Sequence, residues 1–185
     1  METTSVRSKN LMYSNGQLTL LVILRMLIGW HFLYEGVVKL WNPNWSAGGY
    51  LLDSKGAFSG MFYAMAGDPG ILKVVDFLNI WGLILIGLAL ILGLFTRLAT
   101  VGGIILLAFY YLSHPALIGV DYALPTEGSY LIVNKNLIEL FALAVLFVFP
   151  TGRIVGIDRL IALWRKKPQP EAVQENVKTK ETISA

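Results

Sequence analysis

The stretch Leu18–Trp41, LTLLVILRMLIGWHFLYEGVVKLW, decides the fold. It is apolar over more than the ~20 residues a helix needs to cross a bilayer core. It nevertheless carries Arg25, His31, Glu35 and Lys39. Ionisable groups at membrane depth are expensive, and they are kept where they face a bundle interior, a cavity or a partner. The stretch is therefore read both as a membrane span and as one wall of a polar site.

Three further apolar stretches follow, at Ile71–Phe95, Leu98–Ser113 and Asn136–Phe149. The chain of 185 residues is 55% hydrophobic and only 15% charged. Soluble domains are usually ~25% charged, so the balance points to a polytopic membrane protein. The tight link Phe95-Thr96-Arg97-Leu98 predicts an antiparallel helical hairpin between spans two and three. The expected fold is all-α: a four-helix membrane bundle of residues 18–160, between a short segment 1–17 and a basic tail 161–185. No cleavable signal peptide is evident; the first span reads as an uncleaved anchor.

An even number of spans puts both termini on one side. Arg7, Lys9, Arg153, Arg159, Arg165, Lys166, Lys167, Lys178 and Lys180 then share that side with Arg97. The opposite side holds only Lys39, Lys55, Lys73 and Lys135. The positive-inside rule makes the first side cytoplasmic, so both termini are expected inside and the long loop Asn42–Gly70 outside. That loop is rich in Tyr, Phe, Met and Leu, and is expected either to cap the bundle as a re-entrant hairpin or to lie along the headgroups. Ile157–Lys167 reads as a short amphipathic helix on the cytoplasmic surface, and the tail from Pro168 as disordered. Because the basic residues flank span ends, the expected partners are membrane lipids and not nucleic acid.

At ~100° per residue, Arg25, Gly29, Phe32, Glu35, Gly36 and Lys39 share one helical sector, with His31 beside it. The second span brings Asp76 and Asn79, and the fourth brings Lys135, Asn136 and Glu139. His114 ends the third. All four helices thus place polar groups in the outer half, while the inner halves of spans two and four are apolar. This one-sidedness predicts an outer pocket. The alternative is structural: Glu35 and Lys39 form an i,i+4 pair, and Arg25 bonds carbonyls or an acid. With no cysteine in the chain, disulfides, iron–sulfur clusters and thiol relays are excluded, so any redox role needs a bound cofactor or a partner. His31 and His114 lie at poorly matched depths for axial ligation, which argues against haem. Phosphate-binding loops and metal-ligand spacings are missing from the sequence.

Three motifs carry a resemblance: Arg25-x3-Gly29-x6-Gly36-x2-Lys39, Gly87-x5-Gly93-Leu94-Phe95-Thr96-Arg97, and Asn134-Lys135-Asn136-Leu137-Ile138-Glu139. Together they make the chain similar to the DoxX family of small bacterial membrane proteins, which includes relatives of the DoxD small subunit of thiosulfate:quinone oxidoreductase. The resemblance implies a four-helix bundle of the bacterial inner membrane that works with redox partners. The expected function is a quinone-linked redox subunit. Glu35, Glu139 and His31 would handle protons, and Arg25, Phe32, Lys39, Asp76, Asn79, Lys135 and Asn136 would bind the quinone. A redox or periplasmic protein partner is expected to supply electrons, and the glycines allow a homo-oligomer. The rival expectations are a non-enzymatic scaffold for partner proteins and a small proton-coupled transporter.

Overall fold

The structure is a computed structural model, and it describes residues 13–124 and 131–165. Its helices are α1 (Asn15–Trp41), α2 (Gly48–Leu52), α3 (Ser59–Gly67), α4 (Pro69–Leu92), α5 (Thr96–Ser113), α6 (Lys135–Val148) and α7 (Ile157–Arg165). No β-strand occurs among the described residues. Three helices, α1, α4 and α5, are long and apolar enough to cross a membrane. Of their most apolar windows only 28%, 28% and 33% is buried inside the protein, so most of that apolar surface faces outward, as a lipid-facing helix requires. The expected fourth span is α6, which at 14 residues is shorter than the ~20 that cross a bilayer core. The 1–17 segment is outside the described residues up to 12, and the tail is outside them from 166. Observed α7 straddles the expected boundary at residue 160.

Local chemistry explains where the helices begin. Ser14 and Gln17 form a reciprocal capping box at the start of α1. Asp68 accepts from the N–H groups of Gly70 and Ile71, with Pro69 pre-set in the first turn of α4. Asn134 accepts from Leu137 N–H at 3.0 Å to start α6. α5 is different. Its N-cap position is Phe95, at φ 47°, with no capping side chain of its own. The donors are met instead by Asp158, which accepts from Phe95 N–H at 2.8 Å and Thr96 N–H at 3.2 Å. The hairpin turn therefore runs Gly93-Leu94-Phe95 rather than Phe95–Leu98. Gly93 stops α4 at φ 65°, a left-handed conformation that suits glycine, and Thr96 and Arg97 already belong to α5.

The helices pack around one apolar core of Ile28, Phe32, Leu83, Leu90, Ala99, Leu107, Leu143 and Leu146, drawn from α1, α4, α5 and α6. Its tightest seam joins α1 to α4. A Cβ on Gly87 would lie 2.5 Å from Leu33 N, and one on Gly36 2.7 Å from Ile84 Cγ1. The glycines of α1 thus admit a neighbouring helix backbone. We call the end holding Trp41 and Ser113 upper, and the end holding Gly93 and Phe149 lower. The segment 42–68 folds over the upper end: Ala47, Leu51 and Phe62 form a second small core with Leu72 and Val75 of α4. Ser54 Oγ donates to Ser113 O at 2.8 Å and Tyr50 OH to Tyr110 O at 3.2 Å, which ties this cap to α5.

Gly87→Ala is expected to lower unfolding stability by about 1–3 kcal/mol, the usual range for overpacking. Gly82, whose Cβ would meet nothing within 4 Å, is the control, and Gly82→Ala is expected to leave stability unchanged or slightly raised. Thermal unfolding in detergent micelles reads both; equal effects would remove the seam as the stability determinant.

Candidate functional site

Beneath the cap lies a cavity of about 940 Å³. α1 lines it with His31, Phe32, Glu35 and Lys39, α4 with Asn79 and Leu83, and α5 with Leu107 and Tyr110. Lys135 and Asn136 enter from the first turn of α6, and residues 114–122 form its cover with Tyr50. Most of the residues expected at a site on the sequence therefore converge on one space.

The periodicity of α1 sets its polar wall. Glu35 and Lys39, four residues apart, pair at 3.2 Å. The Lys39 ammonium also lies 5.5 Å from the ring of Trp45 and 5.9 Å from that of Tyr110, within cation–π range. His31 Nδ1 lies 2.8 Å from Glu139 Oε1, which links α1 to α6. Asn79 Nδ2 donates to Tyr110 OH at 2.7 Å, while Asn79 Oδ1 is buried with no hydrogen-bond partner. A cationic donor, a carboxylate, an imidazole and a phenol thus border an apolar floor in which Phe32 is 1% exposed. Such a set can hold a flat, weakly polar ring, donate to its oxygens and exchange protons with it.

Three expected members do not line the cavity. Arg25 is ten residues before Glu35, about 15 Å lower at 1.5 Å per residue. It is 3% exposed and donates to Thr151 Oγ1 at 3.1 Å and Val155 O at 2.9 Å, beside the Gly93 turn. The shared helical sector was real, but sector says nothing about depth, and the structural alternative holds for this residue. Asp76 accepts from Ala47 N–H at 2.7 Å and so anchors the start of α2, outside the cavity lining. Glu139 reaches the cavity edge only through His31.

The cover is held by Asp53 and Tyr122, which the sequence reading did not single out, together with Lys55 and His114. Asp53 accepts from the N–H groups of Ala123 at 3.1 Å and Leu124 at 2.9 Å. Lys55 Nζ donates to Asp121 O. The His114 ring stacks on Tyr50 at 3.8 Å and lies against Tyr122 at 4.6 Å. Nδ1 of His114 meets Ser113 Oγ, and Nε2 is 3.7 Å from Asp53 Oδ2. Both histidines are thus engaged within the protein, and no cluster of three or more His, Cys, Asp or Glu able to hold a metal occurs among the described residues. The hydrogen bonds from Leu124 and Ala123 hold the Asp53 carboxyl below the usual range. Burial holds the His114 imidazole below its ordinary value, against the opposing pull of Asp53. Nothing local in the sequence flags Asp53, because its partners lie about seventy residues downstream.

Several apolar helices long enough to cross a membrane mark a multi-pass membrane protein, and it holds a capped cavity of mixed polarity. The family model named DoxX matches residues 20–115, just over half of the chain, and the protein belongs to the DoxX family. The matched residues include α1 to α5 almost entirely and with them the cavity walls from α1, α4 and α5, but not residues 116–122 or the α6 wall. No curated protein and no solved structure matches the chain.

Asp53→Asn is expected to raise hydrogen exchange at the Ala123 and Leu124 amides by roughly ten- to hundredfold, the loss of charge-assisted bonds. The cap should also loosen in mild acid. A His114 that resists protonation when covered by Tyr50 and Tyr122, beside Asp53 and Lys55, binds fewer protons than when released. Acidification below about 6.5, the free histidine value, therefore favours the open cap. Hydrogen exchange across pH 7.5 to 5 checks the sign, and His114→Gln should flatten that part of the profile.

Proposed function

We propose that this DoxX-family protein is a quinone-linked redox subunit of the bacterial inner membrane. In this reading α6 completes a four-helix bundle, both termini are cytoplasmic, and the upper end faces outward. The observation that carries it is the cavity: Lys39, Glu35, His31 and Tyr110 border one space whose remaining walls are apolar and aromatic. That combination fits the ring of a lipid-soluble quinone, whose carbonyl oxygens need donors and whose ring needs an apolar slot. Reduction of such a quinone takes two electrons and two protons. The electrons come from a redox partner, since the chain has no cysteine for a thiol relay.

Each residue then has a defined task. Lys39, steadied by Glu35 and by the rings of Trp45 and Tyr110, stabilises negative charge growing on one oxygen. Glu35 and the His31–Glu139 pair hold protons within reach of the ring. Asn79 fixes the Tyr110 hydroxyl beside the slot. Arg25 has no part in binding here; it secures the lower end.

A short-chain quinone is expected to bind the purified protein in lipid nanodiscs with a measurable Kd by fluorescence quenching. Lys39→Met and Glu35→Gln should each weaken it by roughly tenfold or more, the usual effect of removing a charged hydrogen-bond group. Arg25→Met should lower thermal stability but leave Kd unchanged in the folded fraction. Unaltered binding in both cavity variants would remove this site. No binding at all would favour a protein-docking scaffold, for which partner capture on the cap is the next assay.

A further inference from the structure

A second hollow of about 390 Å³ lies between α1 and α6. It is a groove, built where two helices each present an i, i+3, i+4 stripe. Leu24, Leu27 and Ile28 form one wall, Ile138 and Ala142 the other. Leu27 and Ile138 are each 63% exposed, so the groove opens sideways, on the surface a bilayer would cover. From the level of Leu24 to that of His31 it rises about 10 Å at 1.5 Å per residue.

The groove and the cavity share two lining residues, His31 and Lys135. Between the two hollows stands the His31–Glu139 pair, at 2.8 Å. Its unused oxygen, Glu139 Oε2, is buried without a hydrogen-bond partner. A buried carboxylate oxygen without a partner is costly, and this one lies where the two hollows adjoin. Above, the cavity is covered by residues 114–122, which Asp53 and the His114 stack hold down. An apolar chain leaving the cavity upward would have to break those contacts and enter water. Sideways, beyond His31, Glu139 and Lys135 at the neck, it meets the aliphatic side chains of Leu24, Leu27, Ile28, Ile138 and Ala142.

We propose that the α1–α6 groove holds the apolar tail of the ligand whose ring occupies the cavity, and that the His31–Glu139 pair is the neck through which that ligand enters from the bilayer. The proposal rests on the reading of the cavity as a site for a lipid-soluble ring. It adds the ligand class: a polar ring carrying a long hydrocarbon chain, with the chain bound at a defined place. His31 and Glu139 then have a positioning role, closing around the junction of ring and tail.

The test uses the full-length protein in nanodiscs and a polyisoprenoid quinone with a diazirine on its tail. After photolysis, mass spectrometry is expected to find the label on peptides containing Leu24–Ile28 or Ile138–Ala142. Excess tail-free quinone should suppress that label, because the ring is the anchor. Leu27→Trp combined with Ile138→Trp fills the mouth of the groove at two exposed positions. It should cut labelling by roughly tenfold, as burial of the first methylenes is lost. The Kd of the tail-free quinone should stay the same, which also shows that the variant is folded. Label on residues 114–124 that the tail-free quinone suppresses would overturn the proposal and place the tail at the upper mouth. Groove label that it fails to suppress would also overturn it, as ordinary lipid contact. If the tail-free quinone does not bind the unmodified protein, the cavity reading itself fails, a result distinguishable from both.

Discussion

The close approach of α1 to α4 is the constraint on which the rest of the molecule depends. Gly29, Gly36 and Gly87 remove side chains where the two backbones meet, and an added Cβ at Gly87 would sit 2.7 Å from Gly29 O. Helices this close have no freedom to rotate past one another, so the seam sets which face of α1 looks inward. With that face set, Phe32 falls into the core against Gly103 of α5, and His31, Glu35 and Lys39 fall along the cavity. Half a turn of rotation of α1 would send the same charges into lipid, where ionisable groups are costly.

The two ends of the molecule are held by opposite strategies. The lower end is a compact knot. Gly93 and Gly156 touch backbone to backbone, Asp158 N–H donates to Gly93 O at 3.0 Å, and Arg25 bonds Thr151 and Val155. Arg25 Nη1 and Asp158 serve other polar groups of the chain, while Arg25 Nε is buried without a partner. The upper end is looser and carries more aromatic rings. There a cap, a stacked histidine and a carboxylate cover a space they do not fill. Charge is used at the bottom to close a structure and at the top to border a cavity, and the same helix, α1, supplies both.

The motifs that carry the resemblance divide along that line. Arg25 and Gly93-Leu94-Phe95-Thr96 belong to the lower knot, where a left-handed Gly93 and a left-handed Phe95 make the hairpin and a distant Asp158 caps it. Lys39 lines the cavity with Asn134, Lys135 and Asn136, and Ile138 and Glu139 line the adjoining α1–α6 groove. A pattern that looks like one signature in the sequence therefore falls in two places, the lower knot and the cavity.

The sequence by itself determined the long apolar helices, though not α2 and α3 inside the expected loop, because hydropathy, helical period and capping residues are local. Leu18–Trp41 became α1, the Pro69 start and Gly93 stop bounded α4, and Asn134 began α6, all within a few residues of expectation. It also determined that Glu35 and Lys39 would be neighbours, since four residues make one turn. Only the tertiary structure decided which polar groups meet. Arg25 went down and Lys39 went up because rise along a helix separates residues that share a face. Asp76 was taken by Ala47 N–H, while Asp53 and Asp158, unremarkable in sequence, found their partners about seventy and sixty residues away. Pairings across such distances are set by how helices pack, and no local pattern of residues encodes them.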